Sequence, residues 1–585
     1  MSSDDPVAVS KPERWDVPFW KESLTDQSYR SVKQTDVISL MSAEPFMRLQ
    51  PERFPHSLSP EELLKNDTRV RQFENGEVVF RQGDYGSSAF FILSGKVSVV
   101  LEGLSDEQLG RHRVKEQSFW DSFSQLWRNP KIPELRNYQP GQMNIRGLKV
   151  SQSDTRESET RIFIEDCASV VSSESSTTLD QGEFFGEIAA FTRTPRTASI
   201  IADGDAVILE IRWQGLRDIC RWSGAIKAYL DQLYRQRSLA IHLRATPMFR
   251  HLPNDALREI VQATEFQTHG SFDWDTSYRD IQKMPPAERL QYEPLIAKEG
   301  DYPNGVFLIR SGFARISEKY NNGERTTSYI GRGQVFGYEE VAHNHANPPI
   351  PFQQTLRGVG YLDLLFVPTS AIEEHVLNSP EASQAAASLA APSRGDNPPE
   401  FNPTKATMDS DFLEFMVERR FINGTATMLI DMERCTRCDD CVKACATSHA
   451  GNPRFIRHGP VINNTMVANA CMHCQDPVCM IGCPTGAIHR LSRKGEIVIN
   501  DATCIGCATC ANACPYDNIQ VVPTRDARGD FLLDSFTQQP IEKATKCDLC
   551  AEQNTGPACA YACPHDAMVR MDMSDQDAVT KWLNR

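Results

Sequence analysis

The sequence predicts a multidomain α+β chain, with two β jelly-roll units followed by a small cysteine-rich α+β unit. Short apolar runs broken by glycine turns fill residues 68–101 and 181–211, the pattern of a β barrel or jelly roll. The pattern returns after residue 245: Gly300-Asp301-Tyr302 repeats Gly83-Asp84-Tyr85, and Gly333-Gln334-Val335-Phe336-Gly337 repeats the Gly182–Gly186 stretch. Sixteen of the 18 cysteines then fall between Cys435 and Cys563, in four groups of four.

The 585 residues suit about four domains. A net charge of −15 without a dominant basic block argues against a nucleic-acid surface. No run of about 18 apolar residues occurs, so no membrane-spanning helix is expected. Residues 1–21 lack an apolar leader core, which predicts a reducing cytoplasmic setting, and the lone Cys167 and Cys220 read as buried free thiols.

In chain order, residues 1–36 read as a polar tail and 37–49 as a short helix opening the first β unit, 37–243. An insert at 104–179 interrupts that unit; Phe119, Trp120, Phe123, Leu126 and Trp127 would form one aromatic helical face there. Residues 215–243 read as one long amphipathic helix, with Ile219, Ile226, Tyr229, Leu230, Leu233 and Leu239 on its apolar side. The second β unit covers 244–377, starting with a helix from Met248 to Ala263. Residues 378–405, rich in Ala, Ser and Pro, read as a flexible linker. The cysteine unit takes 406–585, with a helix at 412–420, a strand at 426–430 and a polar tail after Met573.

Chemistry concentrates in two places. In the first β unit, Gly186-Glu187-Ile188-Ala189 is followed by Arg196-Thr197-Ala198. A glycine turn opening a helix offers amides to an anion, an arginine ten residues on can fork onto a phosphate, and a carboxylate beside the glycine can accept from sugar hydroxyls. Together these suggest a cyclic nucleotide. The second copy has Tyr338 in place of Glu187 and Pro351-Phe352-Gln353-Gln354 where the arginine is needed, so it reads as a structural or relay copy.

The other place is the cysteines. Group one is Cys435, Cys438, Cys441 and Cys445; group two Cys471, Cys474, Cys479 and Cys483; group three Cys504, Cys507, Cys510 and Cys514; group four Cys547, Cys550, Cys559 and Cys563. Groups one and three have the C-x2-C-x2-C-x3-C spacing of [4Fe–4S] ferredoxins, and the last cysteine of groups two, three and four precedes a proline. Structural zinc would fit groups two and four in isolation but not the compact triples. Four cubane clusters are therefore expected.

Two resemblances extend this reading. Residues 68–243 resemble the cyclic nucleotide-binding domain of the catabolite-activator-protein and kinase-regulatory-subunit family, through the Gly83-Asp84 and Gly95 turns and the Gly186–Ala198 cassette. The resemblance implies that Glu187 meets the ribose 2′-OH, Arg196 the cyclic phosphate of cAMP or cGMP, Gly186 to Ala189 complete the cradle, Thr197 touches phosphate or base, and the 215–243 helix is a moving lid. Residues 424–573 resemble the four-cluster ferredoxin-like subunits of the dimethyl sulfoxide reductase, nitrate reductase and formate dehydrogenase family, most clearly from Cys471 to Ala487.

That second resemblance implies a double ferredoxin-like fold and crossed ligand sets. Cys435, Cys438, Cys441 and Cys563 would hold one cluster, and Cys547, Cys550, Cys559 and Cys445 the next. Cys471, Cys474, Cys479 and Cys514 would hold the third, and Cys504, Cys507, Cys510 and Cys483 the fourth. No substrate site is legible, so the chain reads as an electron carrier of an oxidoreductase system that needs a redox partner protein. Its flow or docking would be regulated by nucleotide. The alternatives are a sensor in which cluster state controls a partner, and β units that serve only for docking. Oligomeric state is left open.

Overall fold

A computed structural model describes residues 29–55, 58–100, 163–164, 176–192, 195–271, 274–321, 323–378, 408–449, 452–491, 495–501, 503–524, 530–534, 538–551 and 556–585. The aromatic segment 119–127, Cys167 and nearly all of the 378–405 linker lie outside these residues.

The first β region is two antiparallel sheets face to face. One orders its strands Tyr29–Ser31, Thr68–Phe73, Ala206–Arg212, Ser88–Ser94 and Phe184–Phe185; the other Val78–Phe80, Ser199–Ala202, Val97–Val100 and Ser176–Leu179. Successive side chains of a strand point to opposite faces. Phe90, Ile92 and Ile208 therefore fill the space between the sheets with Phe73, Phe185 and Ile200. Their neighbours Phe91 and Leu209 turn outward onto Leu63, Leu64, Leu216 and Leu230 of the helices. Both faces are covered, which is why Ala206–Arg212 reads as nearly continuous apolar sequence.

Three expectations are corrected here. Tyr29–Ser31 is not loose tail: it adds an edge strand to Thr68–Phe73, and Arg30 clasps Asp36 at 2.6 Å. Ser176–Leu179 belongs to the sheet, so the insert ends before it. The long helix is three helices, Trp213–Trp222, Gly224–Arg237 and Leu239–Ala245. Ser223 takes an extended backbone and its hydroxyl accepts from the Ile226 amide, which ends one helix and caps the next. Ile219, Ile226, Leu230, Leu233 and Leu239 are still buried and Tyr229 half-buried, because the breaks preserve the inward side.

Asp67 and Arg212 form a buried ion pair under this region, both almost completely shielded from solvent. Removing one partner leaves an uncompensated buried charge. Arg212→Leu is expected to cost about 3–5 kcal/mol, read as a lower urea midpoint with an unchanged slope.

The second β region has a six-stranded sheet built on two long strands, Gly305–Tyr320 and Thr355–Pro368. Its opening helix is interrupted: Pro247–Arg250 and Asn254–Ala263 are separated at Leu252-Pro253, where proline cannot continue a helix. The same backbone bonds recur in both regions. Gly83 N donates to Arg196 O and Arg196 N to Asp84 O, both at 2.8 Å; Gly300 N donates to Phe352 O and Phe352 N to Asp301 O, both at 2.9 Å. Phe352 is thus the positional counterpart of Arg196.

The cysteine region centres on a sheet ordered Val461–Ile462, Thr465–Val467, Thr427–Asp431 and Met568–Met571, flanked by three two-stranded ribbons. Its end is not a tail: helix Gln576–Leu583, capped by Asp575, buries Val579 and hydrogen-bonds Tyr329 O through Gln576. Phe313, Tyr329 and Val359 of the second β region share one apolar core with Phe412, Leu413, Met416 and Val417 of this region. Among the described residues, no helix is long and apolar enough to cross a membrane.

Candidate electron-transfer and nucleotide sites

The compact cysteine loops are wound by left-handed residues. Arg437 and Asp439 have φ of 61° and 62°, and at the matching places of group three Gly506 and Ala508 have 69° and 63°. Non-glycine residues hold such backbone only where the surroundings dictate it, at about 1–3 kcal/mol each. The double turn curls each loop so that its sulfurs converge. The chain then enters a helix, Asp440–Ser448 or Thr509–Ala513. Cys441 and Cys445 sit four residues apart on the first of these, one turn above the other on the same face. Two groups bound side by side would each take one of them.

The structure brings the sulfurs into four neighbourhoods. Cys435, Cys438, Cys441 and Cys563 line one pocket with Arg457 and His565. Burial pushes the Cys445 thiol up to about 11, and the charges of Cys547 and Cys559 add to the rise. The Cys550 thiol, also raised to about 11 by burial, feels Cys547 and Cys445. Burial pushes Cys474 and Cys479 well up, each then raised further by Cys471 and Cys514. Burial takes Cys510 to about 12, with Cys483, Cys504 and Cys507 adding to it. Crowded, buried thiols resist ionising alone, and a soft cationic iron centre is what such a donor set accommodates. Cys220 stands apart, half-buried, its thiol raised by burial.

In the first β region, Gly186 has φ of 72° and opens helix Glu187–Thr192. Glu187, Ala189, Arg196 and Ala198 are buried, Thr197 is exposed, and of Ile188 only the backbone is described. Arg196 lies over the Phe80 ring at 4.2 Å and donates to Gly186 O at 2.6 Å and Ser88 O at 2.7 Å. Both bonds go to carbonyls rather than to a carboxylate. Burial lowers its guanidinium to about 10, against the opposing pull of Glu210, Glu187 and Asp84. Burial pushes the Glu187 carboxyl up. In the second region a Cβ on Gly337 would meet the Phe352 ring at 2.9 Å, and Phe307, Phe336, Phe352 and Phe366 fill the space with rings. Arg357 instead pairs with Glu324 at 2.8 Å.

Sequence reasoning missed the contacts that join these sites. Gln214 Nε2 of the first β region donates to Met480 O, next to Cys479, at 2.8 Å. Arg490 donates to Cys474 O at 2.7 Å while its guanidinium lies 5.3 Å from the Tyr85 ring centroid. Tyr85 also rests against Gly495, and its neighbour Gly86 abuts the Arg196 guanidinium. From the second β region, Arg279 donates to Cys514 O at 2.8 Å. The hydrogen bonds of Gln214, Arg490 and Arg279 all end on the loops that carry Cys474, Cys479 and Cys514. None is part of a motif, and Tyr85 stands in the sequence only as the third residue of the repeated Gly-Asp-Tyr turn.

Known proteins bear on both sites. A profile described as a 4Fe-4S dicluster domain matches residues 462–528, and one described as a cyclic nucleotide-binding domain matches 168–222. Electron transport protein HydN of Escherichia coli (strain K12) is 36% identical over 168 residues, spanning 27% of this chain and 94% of HydN. The chain belongs to the electron-transport family of HydN. It carries a 4Fe-4S dicluster domain and a cyclic nucleotide-binding domain, and its role is iron–sulfur electron transfer. The arsenate respiratory reductase iron-sulfur subunit ArrB of Shewanella sp. (strain ANA-3) is 30% identical over 200 residues, 27% of this chain and 85% of ArrB. The regulatory domain of Toxoplasma gondii PKA with cAMP covers 60% of this chain and 94% of its own, at 10% identity and a TM-score of 0.21, too low to bear on the fold.

Proposed function

We propose that this chain is a four-cluster electron carrier whose third cluster is gated by a cyclic nucleotide bound to the first of two jelly-roll domains. The ligand sets are the crossed ones: Cys435, Cys438, Cys441 with Cys563; Cys547, Cys550, Cys559 with Cys445; Cys471, Cys474, Cys479 with Cys514; and Cys504, Cys507, Cys510 with Cys483. Cubane clusters supply one-electron steps between a donor and an acceptor protein. The chain's own part is to hold the thiolates, most of them buried and Cys438 exposed, and to set the spacing. Arg196 binds the cyclic phosphate of cAMP or cGMP, and buried Glu187 receives the ribose hydroxyl. The second jelly roll, its cradle filled by Phe352, serves as a docking and relay copy.

The observation that carries gating is the seam described above. Arg196 touches Gly86, Tyr85 beside it stacks under Arg490, and Arg490 grips the carbonyl of Cys474. A phosphate that draws Arg196 off Gly186 O and Ser88 O would disturb the Tyr85 turn, and with it the loop carrying a ligand. Coupling of this kind is reciprocal at equilibrium.

The test is stopped-flow reduction of the iron-loaded chain by reduced methyl viologen, with and without saturating cAMP or cGMP. Nucleotide is expected to change the rate, and Tyr85→Ala to abolish that change while leaving calorimetric nucleotide binding in place. A rate indifferent to a nucleotide that calorimetry shows bound would sink gating and leave the β domains as docking modules.

A further inference from the structure

Two cations, Lys546 buried and Arg570 half-buried, lie where the Cys471 and Cys547 ligand sets meet, and their bonds cross. Lys546, 3% exposed, donates from Nζ to Cys471 Sγ at 3.2 Å and to Cys547 O at 3.1 Å. Arg570 does the reverse: Nη2 donates to Cys547 Sγ at 3.0 Å and Nη1 to Cys471 O at 3.0 Å. Each cation thus takes the sulfur of one cysteine and the carbonyl of the other. Lys546 spends its third proton on Ile497 O, and Arg570 its remaining Nη1 bond on Ala426 O at 2.9 Å. An ammonium has three donors and all three are used, so its position is over-determined.

A hydrogen bond from a cation to a cluster sulfur stabilises the more negative, reduced state, because reduction adds charge that the donor already faces. Here the dielectric is low and each interaction is correspondingly strong. Most such cations would act on one cluster. A crossed pair acts on two, and it fixes their separation through the same bonds.

We propose that Lys546 and Arg570 are positioning residues that brace the two central clusters together and raise the reduction potentials of both, making this junction the bridge between the halves of the carrier. The proposal rests on the four-cluster ligand sets above. Each residue serves both ends: Lys546 tunes the cluster of Cys471 and positions that of Cys547, and Arg570 does the converse. The outer clusters, held by the Cys435 and Cys504 sets, receive neither bond.

The test is an EPR-monitored redox titration of the full, iron-loaded chain and its Lys546→Met, Lys546→Arg, Arg570→Gln and Arg570→Lys variants, with iron and acid-labile sulfide counted on each. Lys546→Met is expected to move the potential of one central cluster to a more negative value, and Arg570→Gln that of the other. Both should weaken the magnetic interaction between the two, and the outer pair should be unmoved. Lys546→Arg and Arg570→Lys, which keep the charge, should restore most of each shift. Unchanged potentials at full iron content would overturn the proposal, as would an equal shift in all four clusters. Should Lys546→Met fail to hold iron, Arg570→Gln and the two conservative variants still decide it. Wild-type iron far from about sixteen per chain would instead refute the four-cluster reading on which the brace depends.

Discussion

Cys445→Ala is expected to strip or cripple the cluster of Cys547, Cys550 and Cys559, and to leave that of its own motif, Cys435, Cys438 and Cys441, intact. Wild-type chain should hold about sixteen irons; a lost cubane removes about four, and a cubane that survives as a three-iron form loses about one. Iron alone does not say which cluster has gone, so the decisive comparison is between double variants. Cys445→Ala with Cys550→Ala should lose no more iron than the worse of the two singles, because both deletions fall on one cluster. Cys445→Ala with Cys441→Ala should lose the sum, because the deletions fall on two. Non-additivity reports a shared site, and additivity separate ones. The reverse pattern would assign Cys445 to its neighbours in sequence. The physical ground is the helix Asp440–Ser448, where Cys441 and Cys445 share a face one turn apart. Cys563, rather than Cys445, lines one pocket with Cys435, Cys438 and Cys441, and so stands where the fourth ligand of that cube is needed.

Much of this is legible in the sequence, for reasons particular to each part. Thiolate chemistry demands fixed residue types at fixed spacing, so all four cysteine groups stand out from their spacing alone. The β regions are legible because strand and turn patterns are local: Gly83, Gly95, Gly186, Gly300, Gly312 and Gly337 all take the left-handed backbone that only glycine adopts cheaply. Helix breaks are less so. Ser223 and Leu252-Pro253 interrupt helices whose apolar period runs on undisturbed, and a periodic pattern does not register a cap within it. The C-terminal helix reads as tail because Gln576–Leu583 is short and half polar, and burial of Val579 depends on a partner surface contributed by distant residues. For the same reason the seam is invisible in the sequence. Gln214 to Met480 and Arg279 to Cys514 join residues more than two hundred positions apart, and no spacing rule reaches that far.

The second large effect concerns Arg196. Calorimetry on the intact chain is expected to find one site per chain for cAMP or cGMP, and Arg196→Ala to weaken it by about 2–5 kcal/mol, roughly 30- to 5,000-fold. One site rather than two follows from Phe352, which stands in the second cradle at the place of Arg196 and brings no charge. The size follows from where Arg196 sits. It is buried, its hydrogen bonds end on neutral carbonyls, and burial has lowered its affinity for its own proton, so an arriving phosphate supplies a counter-charge in a setting that screens little. A complication is that removing the guanidinium leaves Gly186 O and Ser88 O short of donors, at about 1–3 kcal/mol each, which lowers stability on its own account. Arg196→Lys separates the two effects. It keeps the charge and loses the fork, so its affinity should fall between alanine and wild type, whereas a purely structural role would leave affinity tracking the melting temperature of each variant. Saturating nucleotide at about one hundred times its dissociation constant should stabilise wild type by about 2.7 kcal/mol and Arg196→Ala hardly at all. Equal ligand-induced stabilisation of both proteins would mean that the first cradle does not use its arginine. The cyclic nucleotide-binding domain would then hold its ligand by contacts other than those that lead through Gly86 and Tyr85 to the Cys474 loop.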